Sequence, residues 1–498
     1  MTNNTTNKHT QPWTITIETW GGFMPSYFDN AYSYYGNKDQ ANDMVDINLL
    51  DPNVLTQGPR AVNLTNGDED GAVTTLITSI MRGVVSNNVS YAIGGAKLYQ
   101  LSSTAVTNDG IWPHTITGSG TITGCDVIHY KGKVLYSYND SALGGAGIQK
   151  GNIGAYDVAT PGFIDTYWTT TLSGTALEDA PHYMIIGGDD VAYITNGQYI
   201  ARLDNLTDTH QALDFWQNSV VVSLTWNYNR VLAAVNRPNV TGSNFNQSGI
   251  YRWDGVVSSW EGDPIEVSGR IGALYTKNGI TYVWWQEGIS DGGYTFGFMD
   301  GLVLKPIKKY KGSLPNHSQV GEYEGLLGWL SGNKLYLWGS KDPELPVRLF
   351  QYASPYKATA GAWANPFGTP LISSYTGSVF SLAKLSNYAI TSTWTHKAFK
   401  VSGVGFKSQI DLIQIEFEKL STGAKLDTTL YYNKGQQSQE LTQIAYSASD
   451  SSTFRKILNK GPNGVEDFNF KFDWSNGSTT NNVAIRSIMI KGHYIQEN

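Results

Sequence analysis

Charge is what this sequence has least of. Asp, Glu, Lys and Arg make up 15% of its 498 residues, against roughly 25% in ordinary globular domains. Basic excess is missing too: the net charge of −7 gives no electrostatic reason to bind nucleic acid through a basic face. The one local group of cations, Lys305, Lys308, Lys309 and Lys311, reads as the solvated edge of a sheet. A single cysteine, Cys125, excludes an intrachain disulfide framework and all-cysteine zinc sites, and is expected as a small core residue. No apolar run approaches the about 18 residues of a membrane span. The polar start from Met1 to Lys8 lacks the apolar core of a secretory signal, so the protein is expected to be made and used without export.

Signatures of chemistry are equally sparse. The 8 histidines stand singly, with none at helical or zinc-finger spacing. Asp68-Glu69-Asp70 and Asp189-Asp190 lack the alternate-residue ligand spacing of a calcium loop and read as solvated turns. There is no P-loop, no dinucleotide-binding glycine pattern and no nucleophile elbow. Arg202, Arg230, Arg237, Arg252 and Arg270 sit in no assigning motif, and Glu261, Glu287, Glu322 and Glu324 form an acid/base pair only if the fold brings two together. The expectation is no catalytic residues, no cofactor, no metal, and a protein that is not an enzyme.

What is abundant is turn and aromatic. Gly 53, Trp 15, Tyr 30 and Phe 17 supply a composition suited to an all-β fold. The organising unit is Gly272–Thr276, a Lys277-Asn278-Gly279 turn and Ile280–Trp285. Two β-rich runs around Asn-Gly form a hairpin, because both turn residues tolerate positive φ. Leu326–Leu330 with Lys334–Trp338, and Val127–Tyr130 with Lys133–Tyr138, repeat the pattern. Strand pairs begin near Ser90, Val134, Val191, Val231, Ile280, Leu335 and Leu371, a spacing of roughly 36 to 57 residues that matches four-stranded propeller blades. Seven units suit a closed ring, with an open array of sheets as the alternative.

The flanks read differently. Residues 1–72 hold one alternating run, Trp13–Trp20, followed by aromatic loops and a short helix expected around Gln40–Leu50. They are expected to form an irregular N-terminal arm whose Trp13, Trp20, Phe23, Tyr27 and Phe28 pack on another domain or chain. Residues 73–385 form the expected seven-bladed β-propeller. Residues 386–498 alternate apolar with polar, as in Ile410–Phe417 and Phe468–Trp474, and are expected to form a β-sandwich.

The tryptophans of the middle segment, Trp253, Trp260, Trp284, Trp285, Trp329, Trp338 and Trp363, either pack between blades or stack on sugar rings. Trp260 and Trp363 read as loop residues and are the two candidate surface contacts. Ser290-Asp291-Gly292-Gly293-Tyr294-Thr295-Phe296 looks like the aspartate-box turn of sialidase-type propellers, with the serine displaced and in one copy. There Asp291 caps the turn and Phe296 packs between blades, a folding role and not a catalytic one.

An arm with Asp51–Pro59 leading to Asn63–Gly67, a degenerate cysteine-poor propeller and an alternating C-terminal β domain together resemble β-propeller-containing virion structural proteins of tailed bacteriophages. That resemblance implies a nozzle, tail-tip or receptor-contacting protein, assembled in the host cytoplasm into the virion. Its implied partners are copies of itself and other tail proteins. The alternative carried by Trp260, Trp363 and the aspartate-box-like turn is a carbohydrate-binding or glycan-cleaving propeller, with a host surface glycan as partner.

Overall fold

Alternating runs and tight turns fold where the sequence places them. The structure is a computed structural model. It describes residues 12–20, 22–23, 40–45, 47–48, 53–66, 73–85, 88–143, 149–172, 174–239, 242–287, 293–332, 334–339, 348–353, 359–376, 379–388, 391–401, 406–418, 420, 422–446, 454–475 and 483–496. Arg270–Lys277 and Ile280–Gln286 pair antiparallel, with Lys277 opposite Ile280. Asn278 and Gly279 turn between them at φ 50 and 76, the left-handed conformations that a two-residue hairpin demands. Gly293–Asp300 and Val303–Lys311 complete a four-stranded antiparallel sheet.

The chain is all-β and built largely from such sheets. In chain order the first runs from Ser79–Ile80 to Ala105–Val106, the second from Ile122–Tyr130 to Gly162–Ile164, and the third from Met184–Ile186 to Thr207–Asp214. The fourth runs from Val220–Asn227 to Glu261–Val267, the fifth is the hairpin sheet above, and the sixth runs from Val320–Tyr323 to Arg348–Ala353 and is continued by Gly22–Phe23 into the sheet of Gln40–Val45 and Thr391–His396. The seventh joins Thr359–Ala364, Leu371–Thr376 and Val379–Tyr388 to Pro59–Asn63 from far upstream. Each of the seven strand pairs read from the sequence falls in its own sheet.

Neighbouring sheets are bonded to one another, often through a first strand or the residues just before it. Thr78 Oγ1 donates to the Gly124 carbonyl at 2.8 Å, Met184 N–H to Asp126 Oδ2 at 2.7 Å, and Val221 N–H to the Gly197 carbonyl at 2.8 Å. Leu274 N–H donates to Ser223 Oγ at 3.0 Å, Trp329 Nε1–H to the Tyr294 hydroxyl at 2.7 Å, and Trp363 Nε1–H to the Gln319 carbonyl at 2.8 Å. Ser373 Oγ then donates to the Ile77 carbonyl at 2.8 Å, which returns the series to the first sheet. First strands carry register shifts at Gly124/Asp126, Val221/Ser223, Ile271/Ala273 and Ala360/Trp363. A bulge frees an N–H or carbonyl from its own ladder, and here that freed group faces the next sheet.

Aromatic rings fill the space between sheets. Between the fifth and sixth, Phe296 lies 4.6 Å from Trp329, and Trp284 lies 5.6 Å from Trp329. Phe296 therefore packs as the sequence suggests, while Asp291 lies outside the described residues.

Where residues 1–72 are described, they form strands and not an irregular arm. Pro12–Ile17 pairs with Ile485–Gln496, in one sheet with Phe406–Phe417 and Phe454–Asn459. Gln40–Val45 pairs with Thr391–His396, which leads to Asp467–Ser475 and Lys425–Tyr432. The two sheets share one buried cluster that includes Ile413, Ile415, Phe470 and Phe472. The helix expected around Gln40–Leu50 is a strand. A register shift between Ala41 and Asp43 puts Ala41 and Met44, both buried, on one face, and this three-residue interval imitates helical spacing.

Two outcomes follow. Removal of residues 1–63 strips the edges of Val379–Tyr388 and Ile485–Gln496, so the truncated chain is expected to melt lower and aggregate, read by calorimetry and size-exclusion chromatography. Asp165 ties the first two sheets: Thr117 N–H donates to it at 2.8 Å, His114 Nε2 lies at 2.8 Å, and the Tyr136 hydroxyl donates to it. Burial raises its pKa, but these hydrogen bonds outweigh burial and hold it at about 2. A folded-state value below the unfolded about 4 stabilises the fold above pH 4, and this contribution disappears as pH falls through 4 toward 2. Asp165→Asn is expected to lose about 1–3 kcal/mol at neutral pH, with the gap to wild type in urea unfolding closing as pH drops below 4.

Candidate functional site

Two concave sites stand out, one on the outer strands of the fourth sheet and one among the first strands. The outer site begins with a turn. Asp254 Oδ1 accepts from Val256 N–H and Val257 N–H at 2.8 and 3.0 Å, and Gly255 sits at φ 84. This Asx turn sends the chain from Gly242–Trp253 back along Glu261–Val267, and places Trp260 at the head of the returning strand. Trp216 arrives from the connection after Thr207–Asp214, where a bond from Ser219 N–H to its carbonyl closes a turn.

The rings converge. Trp260 lies 4.9 Å from Trp216, 5.3 Å from Tyr251 and 5.7 Å from Phe215. Trp216 and Trp260 are half-buried, whereas Phe215 and Tyr251 are buried. The Arg237 guanidinium lies over the Trp216 ring, 3.5 Å from its centroid, a cation–π contact. Asp263 and Glu266, both exposed, complete a cleft of about 710 Å³. Burial pushes the Tyr251 hydroxyl up to about 12 while the Arg237 guanidinium, which hydrogen-bonds it, pulls the other way. At neutral pH that hydroxyl keeps its proton and both donates and accepts. Rings on the floor and polar groups on the rim can take a flat, hydroxylated ligand.

The inner site is a cavity of about 470 Å³ lined by first-strand residues including Asp126, His129, Met184, Trp226 and Tyr275. Asp126 is buried; it accepts from Ser79 Oγ at 2.5 Å, Val127 N–H at 2.9 Å and Met184 N–H at 2.7 Å. Burial raises its pKa and these donors oppose the rise. Burial lowers the pKa of His129 and of His317, so both imidazoles are neutral at pH 7. His317 Nδ1 lies 2.9 Å from Ser223 Oγ. Arg82 crosses from the first sheet: its Nη2–H donates to the His317 carbonyl at 3.1 Å, and its guanidinium carbon stands 5.1 Å from the Tyr275 centroid.

The sequence candidates divide. Trp260 stands at the outer cleft. Trp363 is not a surface contact: it is 2% exposed and lies between the sixth and seventh sheets, where a Cβ on Gly328 would come within 2.7 Å of its ring. Trp20 is 1% exposed and meets Trp394 edge-on at 6.0 Å, so its own chain occupies it. Trp13 stacks on Phe468 at 6.2 Å. Both rings therefore pack on residues of the C-terminal segment 386–498, the contact with another domain that the arm reading allowed. The side chain of Phe23, and all of Tyr27 and Phe28, lie outside the described residues.

No arginine cluster forms among Arg202, Arg230, Arg237, Arg252 and Arg270. Arg202 pairs with Asp204 at 3.3 Å, Arg230 with Glu261 at 2.6 Å, Arg252 donates to the Gly301 carbonyl and Arg270 to Gln286. Glu287 accepts from Trp285, and Glu322 from Tyr275, on different sheets. Cys125 is buried, with its thiol pushed up to about 12 by burial. Among the described residues no three His, Cys, Asp or Glu form a metal-holding group. Sequence reasoning passed over Arg82, Trp216 and Tyr251. The available signal for Trp216 was the Phe215-Trp216 pair standing outside a strand just before Asn218.

No protein family model and no curated protein matches the chain. Among solved structures it is similar to the computationally designed Ika8 protein, at 11% identity over 67% of this chain and 100% of that one, TM-score 0.38. It is also similar to an exo-β-1,3-galactanase from Phanerochaete chrysosporium bound to β-1,3-galactotriose, at 11% identity over 87% and 99%, TM-score 0.31. An ancestral GH74 enzyme gives 10% identity over 67% and 49%, TM-score 0.39. Two of these three are enzymes by name. That finding corrects the expectation, drawn from missing motifs, that the protein is not an enzyme. With every TM-score below 0.5, the activities stay with the proteins named.

Proposed function

We propose that the protein is a carbohydrate-binding β-propeller protein and that the cleft of Trp216, Tyr251 and Trp260 is its sugar site. In this reading the seven sheets are blades of one ring closed by Pro59–Asn63, and the two terminal sheets are a β-sandwich beside it. The convergence of two half-buried tryptophans within 4.9 Å, over a cleft rimmed by Asp263, Glu266 and Arg237, carries the proposal. A pyranose lays its C–H face on an aromatic ring and turns its hydroxyls to the rim, where carboxylates accept and a guanidinium donates.

A receptor-contacting component of a virion tail is compatible with this site, since such a protein meets a surface glycan. One observation favours assembly as well. Leu206, Tyr228, Val256, Ile280, Leu302 and Val303 are large apolar residues exposed at strand-joining turns of the third, fourth and fifth sheets. Where such groups adjoin in one patch they mark a contact surface.

The test is a glycan array followed by titration calorimetry on Trp260→Ala and Trp216→Ala, with sugar release measured in the same incubations. Binding is expected to weaken at least about tenfold in each variant, because a lost aromatic stack carries on the order of one factor of ten in affinity. If the array retains no glycan, or both variants bind as wild type does, the proposal fails. Release of reducing sugar adds cleavage to binding.

A further inference from the structure

Among the described residues, Arg82 is the one Lys or Arg side chain that lines the inner cavity, and none of them supplies it with a counter-ion. Its side chain is exposed to the cavity. Burial raises the pKa values of Asp126 and Tyr275 and lowers that of His317; the Arg82 charge opposes the first two shifts and adds to the third, yet among the described residues no carboxylate lies within ion-pair distance of it. Asp126 directs both oxygens to the wall, onto Ser79, Val127 and Met184. Glu322 is engaged by the Tyr275 hydroxyl at 3.2 Å and by Lys277 at 3.6 Å. His129 and His317 are neutral. The bond to the His317 carbonyl uses one of the five guanidinium donors and fixes the direction of the rest.

We propose that this cavity binds a small ligand carrying an oxyanion, with Arg82 holding the oxyanion and Tyr275 and Trp226 flanking the body. A fork of donors fits carboxylate and phosphate oxygens alike. The cavity volume of about 470 Å³ suits a body the size of one sugar acid. Carboxylate and phosphate therefore share the recognising chemistry. The site stands apart from the outer cleft and does not depend on it.

Calorimetric titration of the full chain with glucuronate, N-acetylneuraminate, inorganic phosphate and glucose separates the sources. At least one of the oxyanions is expected to bind and glucose is not. Arg82→Gln is expected to weaken oxyanion binding at least about tenfold, and added salt to weaken it in the wild type. Binding of the sugar acids alone marks a carboxylate ligand, and binding of phosphate alone marks a phosphate; either supports the site. Glucose binding as tightly as glucuronate, unchanged affinity in Arg82→Gln, or no heat with any oxyanion overturns it. If thermal unfolding shows that Arg82→Gln does not fold, the wild-type contrast between glucuronate and glucose, with its salt dependence, decides. Glycan binding at the outer cleft is expected to survive Arg82→Gln.

Discussion

The hydrogen bond from Ser373 Oγ to the Ile77 carbonyl spans 296 residues, and the pairing of Pro59–Asn63 with Val379–Tyr388 spans more of the chain still. The other bonds of the series that joins one sheet to the next link units adjacent in sequence. Only the distant closure gives the seventh sheet its fourth strand and the first sheet its missing neighbour. The inner cavity depends on it. That cavity exists because first strands from separate sheets face one another, and Arg82 reaches His317, in the turn before the sixth sheet, across it.

How much of this was legible varies with the kind of order involved. Period-two runs and Asn-Gly or Lys-Gly turns are local, and the hairpins at Asn278-Gly279 and Lys131-Gly132 fold as written, with positive φ at all four residues. Alternation in Lys425–Tyr432 likewise marks a strand with one wet face, buried at every second position over most of its length. Bulges defeated the reading. A register shift at Ala360/Trp363 turns Trp363 inward where a loop residue was expected, and one at Ala41/Asp43 disguises a strand as a helix. Partners distant in sequence were also beyond reach: nothing near Pro59 states that it belongs beside Tyr388.

The two sites differ in physics. The outer cleft rests on rings whose positions follow from a turn and a strand of one sheet, so it needs little beyond the fourth sheet itself. Trp260 was visible from sequence for that reason, whereas Trp216 came from a neighbouring connection and was not. The inner cavity is a property of the whole arrangement. Its one uncompensated charge sits at a position that sequence leaves anonymous, because Arg82 lies in no motif and gains its meaning from the carbonyl and ring it meets across the gap.

The upstream strand that finishes the seventh sheet also sets an order of events during synthesis. Pro59–Asn63 leaves the ribosome before its partner, Val379–Tyr388, which is made only after six further sheets. Through that interval an unpaired strand edge waits in solution while sheets pair locally behind it. Premature partners for that edge, including the same strand on another nascent chain, compete with the proper one until residue 388 emerges.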